Sequence, residues 1–248
     1  MQQLNINELK PHPRNNEFFD DMTGDAWEAF KESIKTSGII EPIVVTKDMI
    51  IVSGHQRVRA AKELGISTVM VDIRKYENDE QVLKDLIETN IRQRGVGNPN
   101  PIKLGRCIKE LEKIYGVREG RPEKLPKVSA VTQEQLSDMI GISVDTLQNY
   151  KKLTELIPEL EDLVETGILA PTTATALVKR MTPSEQEDFV KSMDITQKIT
   201  QKQVQQYINE IKQLKENPPI PSDYNSTKRE LLDYKNDYNN LKSQFNEK

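Results

Sequence analysis

Val52-Ser-Gly-His-Gln-Arg-Val-Arg-Ala-Ala-Lys62 decides how the N-terminal part of this chain is read. It follows Ile50-Ile-Val52, an apolar run with the composition of a short β-strand. It leads into Ala60–Leu64, which reads as helix and stops at Gly65. Gly54 therefore sits at a strand-to-helix turn, where a residue without Cβ lets the backbone approach a ligand closely. His55, Gln56, Arg57 and Arg59 fall at the start of the helix, whose dipole favours anions. The combination suits a phosphate. A plain strand–turn–helix corner with a solvated basic face has the same local pattern, so the surrounding chain has to separate the two.

Outward from this segment, residues 1–80 alternate short apolar strands with helical patterns. Trp27, Phe30 and Ile34 recur at three and four residues, so Asp25–Thr36 reads as an amphipathic helix ended by Gly38. Pro42–Val45 and Ile50–Val52 read as strands flanking a turn at Lys47–Asp48, and Val69–Ile73 as a third strand. This predicts a small α/β domain, too short and too mixed for a doubly wound sheet. From Asn78 the pattern becomes helical. Val82, Leu83, Leu86 and Ile87 mark one helix; Leu104, Ile108, Leu111 and Ile114 mark another, ending near Gly116. Gly116–Val131 mixes glycine, proline and basic residues and reads as an exposed linker.

Thr132–Leu153 is the next strong pattern. Thr132 with Gln135 forms a capping box, and Leu136, Met139 and Ile140 supply an apolar face. Gly141 breaks that helix, Ser143 caps a second, and Leu147 and Tyr150 continue the apolar stripe. A helix, a short glycine turn and a helix make a helix-turn-helix. Further helix starts lie at Thr182-Pro-Ser-Glu185 and Thr200-Gln-Lys-Gln203. Asn217-Pro-Pro-Ile-Pro-Ser222 reads as a stiff linker over 217–223. Tyr224, Thr227, Leu231, Tyr234, Tyr238, Leu241 and Phe245 then keep a three-four spacing, which predicts a coiled-coil helix over 224–248. One amphipathic helix docked on the body is the alternative.

The chain has 248 residues, 30% of them charged and 5% aromatic, in keeping with a helix-rich protein of about two domains. A single cysteine, Cys107, excludes a disulfide framework, and its place among Leu104, Ile108 and Leu111 reads as core. Met1-Gln-Gln-Leu-Asn-Ile6 lacks the pattern of a signal peptide, and no apolar run nears the ~20 residues of a membrane span. The expectation is a cytoplasmic protein with no membrane partner. Net charge is −4. From Arg92 to Lys127 ten Lys/Arg face four Asp/Glu; from Thr132 to Ile195 five face twelve. The helix-turn-helix therefore lies in the acidic stretch.

Taken in order, these segments resemble the ParB group of chromosome and plasmid partition proteins. The matching segments are Leu4-Asn-Ile-Asn-Glu-Leu-Lys-Pro-His-Pro13, Ser37-Gly-Ile-Ile-Glu-Pro-Ile-Val-Val45, the opening segment, Leu86-Ile-Glu-Thr-Asn90, and Asn100-Pro101. The helix-turn-helix and Ile157-Pro-Glu-Leu-Glu-Asp-Leu-Val-Glu-Thr-Gly167 follow in the same order, so the resemblance covers roughly residues 1–215. It implies an α+β chain in four parts. These are a ParB/sulfiredoxin-like nucleotide-binding domain over 1–95, an all-α DNA-binding domain over 96–216 with its helix-turn-helix at 132–153, the linker, and the coiled coil.

The resemblance also implies a mechanism. The N-terminal domain binds CTP with Mg²⁺ and closes as a clamp between two subunits around double-stranded DNA, and hydrolysis reopens it; the expected partners are double-stranded DNA, a second copy of the chain and a partner ATPase. The protein would be nucleoid- or plasmid-associated. Carried onto this chain, Gly38, Glu41, Pro42 and Ile43 would border the base. Gly54, His55, Gln56, Arg57 and Arg59 would hold the triphosphate, with Arg92 and Arg94 as further contacts. Glu88 would be the metal ligand and, with Asn90, the catalytic pair. Gln133, Ser143, Asp145, Thr146, Gln148, Asn149 and Lys151 would meet DNA, the amides suiting adenine edges.

The chain departs from the family at several of these positions. The family usually carries Glu then Arg after the motif glycine, where this chain has His55 and Gln56. Thr89 separates Glu88 from Asn90, which are adjacent in the family. Val144 stands where the family usually has a basic residue after the capping serine, and a Gly-His-x-Arg pattern is replaced by Thr172-Thr-Ala-Thr175. Three alternatives follow: ATP in place of CTP, a helix-turn-helix regulator without hydrolysis, and a DNA-modification accessory or nuclease-type ParB-like enzyme.

Overall fold

The computed structural model describes residues 1–94, 100–117 and 131–217, and the single positions 229, 231, 232, 234 and 235. Side chains are described through residue 91 in the first of these stretches. The heptad tail therefore lies outside the described residues apart from those single positions, as does nearly all of the basic linker. Two compact units divide the chain, Met1–Thr200 and Gln201–Lys248.

Four strands form the sheet of the first unit: β1 (Gln2–Asn5), β2 (Ile43–Thr46), β3 (Ile51–Ser53) and β4 (Thr68–Arg74). Their order is β1-β4-β2-β3. β2 runs parallel to β4, with Ile43 opposite Val71, while β1 and β3 pair antiparallel at the two edges. The strands β2, β3 and β4 sit within two residues of their predicted positions. β1 was not expected. Gln2-Gln-Leu-Asn5 has no apolar alternation of its own and is strand because β4 offers it a free edge.

One face of the sheet is covered by α3 (His55–Glu63), where Val58 and Ala61 pack on Ile43, Val45, Ile51, Val69 and Val71. α2 (Gly24–Ser37) lies beyond, with Trp27 and Ile34 against Ala60. The other face carries Val44 and Val52, which join Phe18 and Phe19 around α1 (Asn15–Phe18) and Leu83, Leu86 and Ile87 of α4 (Asp79–Arg94). The same core continues into α5 (Pro101–Tyr115), α6 (Gln133–Ile140) and α7 (Val144–Leu153) through Leu104, Cys107, Leu136 and Leu147. Sheet and helix-turn-helix thus share one buried cluster across the expected boundary at 95/96. Cys107 is buried as expected.

The helix-turn-helix forms as its capping residues dictate. Thr132 Oγ1 accepts the N–H of Gln135 at 3.2 Å, and Gln135 Oε1 accepts that of Thr132 at 2.9 Å. Gly141 takes φ 82°, and Ser143 Oγ accepts the N–H of Thr146 at 3.2 Å to start α7. The helices α8 (Pro158–Glu165), α9 (Pro171–Val178) and α10 (Pro183–Ser192) complete the unit. α11 (Gln201–Glu216) belongs to the second unit. Among the described residues, no helix is long and apolar enough to cross a membrane.

Candidate functional site

Gly54 adopts φ 106° between β3 and α3, a conformation that L side chains rarely take. A Cβ built there would lie 2.7 Å from Ile43 Cδ1 and 3.4 Å from Arg57 Nε. The turn thus packs backbone against β2 and presents the first N–H groups of α3, which have no acceptor within the helix. Arg57 stands beside it. Its guanidinium donates to the carbonyls of Glu41 at 2.7 Å and Pro42 at 3.2 Å, and to Ser53 Oγ at 3.4 Å. The Glu41 carboxylate is 3.3 Å away and 68% exposed, whereas the Arg57 side chain is 13% exposed. Burial pulls the guanidinium below its ordinary value and Glu41 opposes that, yet an arginine stays charged. A largely buried permanent cation beside a glycine turn and a helix start is an anion site in its chemistry.

The structure brings together Gly54, Arg57, Glu41, Pro42 and Ile43. Gly38 caps α2 with φ 70° just before that segment. The rest of the expected phosphate set is engaged elsewhere. Gln56 is 9% exposed; it donates to Asp21 at 2.7 Å and accepts the Met22 N–H at 3.3 Å. Arg59 lies two residues and roughly 200° round the helix from Arg57. It donates to the Met22 carbonyl at 2.9 Å and its guanidinium sits 3.9 Å over the Trp27 ring. Both tie α3 to the Asp21–Met22 loop, a role that spacing could not reveal because Asp21 is distant in sequence. His55 turns to the N-terminal loop, where its Nε2 accepts the His12 N–H at 3.2 Å. The side chains of Arg92 and Arg94 lie outside the described residues.

Glu88 and Asn90 are also engaged. The Tyr115 hydroxyl of α5 donates to Glu88, and Asn90 donates to its own helix at the Leu86 carbonyl, 2.7 Å. Tyr115 was not anticipated, and an aromatic at a helix end carries no signal of such a partner. Among the described residues no three His, Cys, Asp or Glu gather as metal ligands. The donors at Gly54 and Arg57 fit a polyphosphate. Glu88, expected as the Mg²⁺ ligand, is the carboxylate that Tyr115 holds.

On α7, Asp145 and Asn149 are exposed, with Thr146 and Gln148 half-exposed beside them. Gln148 donates to Gln133 at 2.7 Å, which joins two expected DNA contacts across the helix pair. Lys151 departs from expectation. It is 4% exposed, with Nζ 2.8 Å from Glu112 Oε2 on α5. A buried ammonium in an ion pair cannot reach a phosphate, so Lys151 is a structural residue here.

Residues 1–90 match the ParB N-terminal domain and residues 123–213 the ParB HTH domain. The chain belongs to the ParB family. The probable chromosome-partitioning protein ParB of Vibrio cholerae is 28% identical over 83% of this chain and 64% of its own length. Stage 0 sporulation protein J of Bacillus subtilis is 27% identical over 86% of this chain and 69% of its own. The ParB-like chain thus spans about two thirds of these relatives. Among solved structures, the C-terminally truncated ParB of Caulobacter crescentus, complexed to the centromeric parS site, matches with a TM-score of 0.51. It is 21% identical and covers 85% of this chain and 100% of that one, a likeness of fold.

Proposed function

We propose that this chain is a DNA-binding ParB-like protein of chromosome or plasmid partition. Its N-terminal half takes a nucleoside triphosphate, CTP by family resemblance with ATP as the alternative, and gates a dimeric clamp on double-stranded DNA. The carrying observation is the Gly54 turn with Arg57 at its side, built into the same compact unit as the helix-turn-helix. Gly54 and the start of α3 would meet the phosphates through backbone N–H groups, and Arg57 would exchange its Glu41 contact for phosphate oxygens. Glu41, Pro42 and Ile43 would flank the base through the loop that Arg57 braces. Asp145, Thr146, Gln148 and Asn149 would face base edges. Mg²⁺, when bound, would neutralise phosphate charge, with Glu88 its protein ligand. A partner ATPase, the coiled-coil dimer over 224–248 and association with the nucleoid or a plasmid belong to this proposal.

Nucleotide-dependent cross-linking of N-terminal domains tests it, run with CTP and ATP in Mg²⁺, with and without DNA. Cross-linking that rises with one nucleotide is expected. No binding of either nucleotide by calorimetry, with DNA present, removes the gate.

A second reading has its own support: a helix-turn-helix regulator that binds nucleotide without hydrolysing it. Glu88 is held by Tyr115, and Asn90 is turned onto Leu86. Neither group stands ready for proton transfer or metal binding in this conformation. Phosphate release above a Glu88→Gln control decides against this reading.

A further inference from the structure

α7 carries little positive charge to meet DNA. With Lys151 buried against Glu112, the expected DNA-facing set on this helix retains Asp145 and three neutral residues. DNA affinity rests largely on cations meeting phosphates. The cations that border this surface come from α9 and its end. α7 and α9 enclose a groove of about 470 Å³ lined by Thr146, Asn149, Tyr150, Thr172, Lys179 and Arg180. Lys179 follows one helical turn after Thr175, whose buried hydroxyl donates to the Pro171 carbonyl at 2.9 Å. Lys179 and Arg180 are both exposed. Lys179 Nζ donates to Asn149 Oδ1 at 3.2 Å, linking the end of α9 to the recognition helix.

We infer that Lys179 and Arg180 contact DNA phosphates at the edge of the α7–α9 groove, and that Lys179 is also the positioning residue for Asn149. The inference rests on the DNA-binding reading above. An ammonium has three donors, so Lys179 can hold Asn149 Oδ1 and a phosphate oxygen together. Asn149 Oδ1 is then partly committed, and its amide N–H groups are turned to acceptors on the base edge. One cation thus anchors the backbone and sets the orientation of a reading side chain.

The test uses the full chain, with sites enriched from a randomised duplex library and unselected duplex as probes. Affinity is followed by fluorescence anisotropy across a salt series for wild type, Lys179→Gln, Arg180→Gln, the double variant and Lys179→Arg. Both side chains are exposed, and an unchanged melting temperature verifies folding. Each Gln variant should weaken binding to every duplex and flatten the log–log salt slope by about 0.9, the double by about 1.8. Lys179→Arg should restore the slope. Lys179→Gln should also reduce discrimination between enriched and unselected duplex, and in Asn149→Ala should have no further effect on discrimination. Unchanged slopes in variants of a DNA-binding wild type overturn the inference alone. A flattened slope with intact discrimination supports the phosphate contact and overturns the positioning role. A wild type that binds no duplex overturns the DNA reading itself, and this inference with it.

Discussion

At Gly54, backbone freedom and close packing coincide: φ is 106°, and a Cβ would press on Ile43 at 2.7 Å. Gly54→Ala should therefore cost about 1–3 kcal/mol, from a left-handed backbone that alanine resists and from the displaced isoleucine. Chemical denaturation measures the loss, and nucleotide binding should fall with it. Arg57→Ala removes the braced cation. Since a hydrogen bond to a charged group contributes ~1.5–3 kcal/mol, nucleotide affinity should drop at least about tenfold; calorimetry checks it. His12 links residue chemistry to pH. Its Nδ1 accepts the Arg14 N–H at 3.2 Å, and burial, with the Arg14 charge, holds it below the ordinary 6.5. The unfolded chain therefore takes up the proton first. The stabilisation is complete above pH 6.5 and is lost as pH falls through the folded value. Thermal unfolding followed below neutrality should show the advantage of wild type over His12→Gln shrinking on acidification.

Among the elements, the contact of α5 with α7 fixes the second helix of the helix-turn-helix. A Cβ on Gly105 would lie 2.3 Å from the Tyr150 carbonyl, so the two helices touch backbone to backbone. Gly105→Ala should separate them and cost about 1–3 kcal/mol, read as a lower denaturation midpoint with weakened DNA binding. The Glu112–Lys151 pair sits in the same contact. Glu112→Leu alone leaves a buried ammonium and should cost about 3–5 kcal/mol, whereas Glu112→Leu with Lys151→Met should recover most of it, in a double-mutant cycle by denaturation. The capping box and glycine stop that bound α6, and the serine cap that starts α7, were legible because each acts within four residues. The ion pair was not. Lys151 sits on a helix with exposed polar neighbours, and its partner lies 39 residues away.

Over the whole molecule, one buried cluster runs from Val44 and Val52 on the sheet through Leu86 and Leu104 to Leu136 and Leu147. This continuity would give the proposed nucleotide-binding sheet a physical route to the proposed DNA-binding helix pair. Tyr115, which holds Glu88, and Gly105, which receives α7, lie on the same helix α5. Nucleotide-dependent cross-linking should therefore respond to DNA, and Gly105→Ala should weaken that response relative to the effect of nucleotide alone. The sequence by itself determined the strands β2 to β4, the helices α2 to α7, the glycine turn at Gly54 and the helix-turn-helix, since each follows from local periodicity and backbone preference, whereas β1 needed the edge of β4. Only the tertiary structure decided which side chains the site contains. It placed Arg57 on the Glu41–Pro42 carbonyls, turned Gln56 and Arg59 to the Asp21–Met22 loop, buried Lys151 and brought Lys179 to Asn149. The physical reason is that a polar side chain finds its partner through space, and neither periodicity nor charge counting carries that distance.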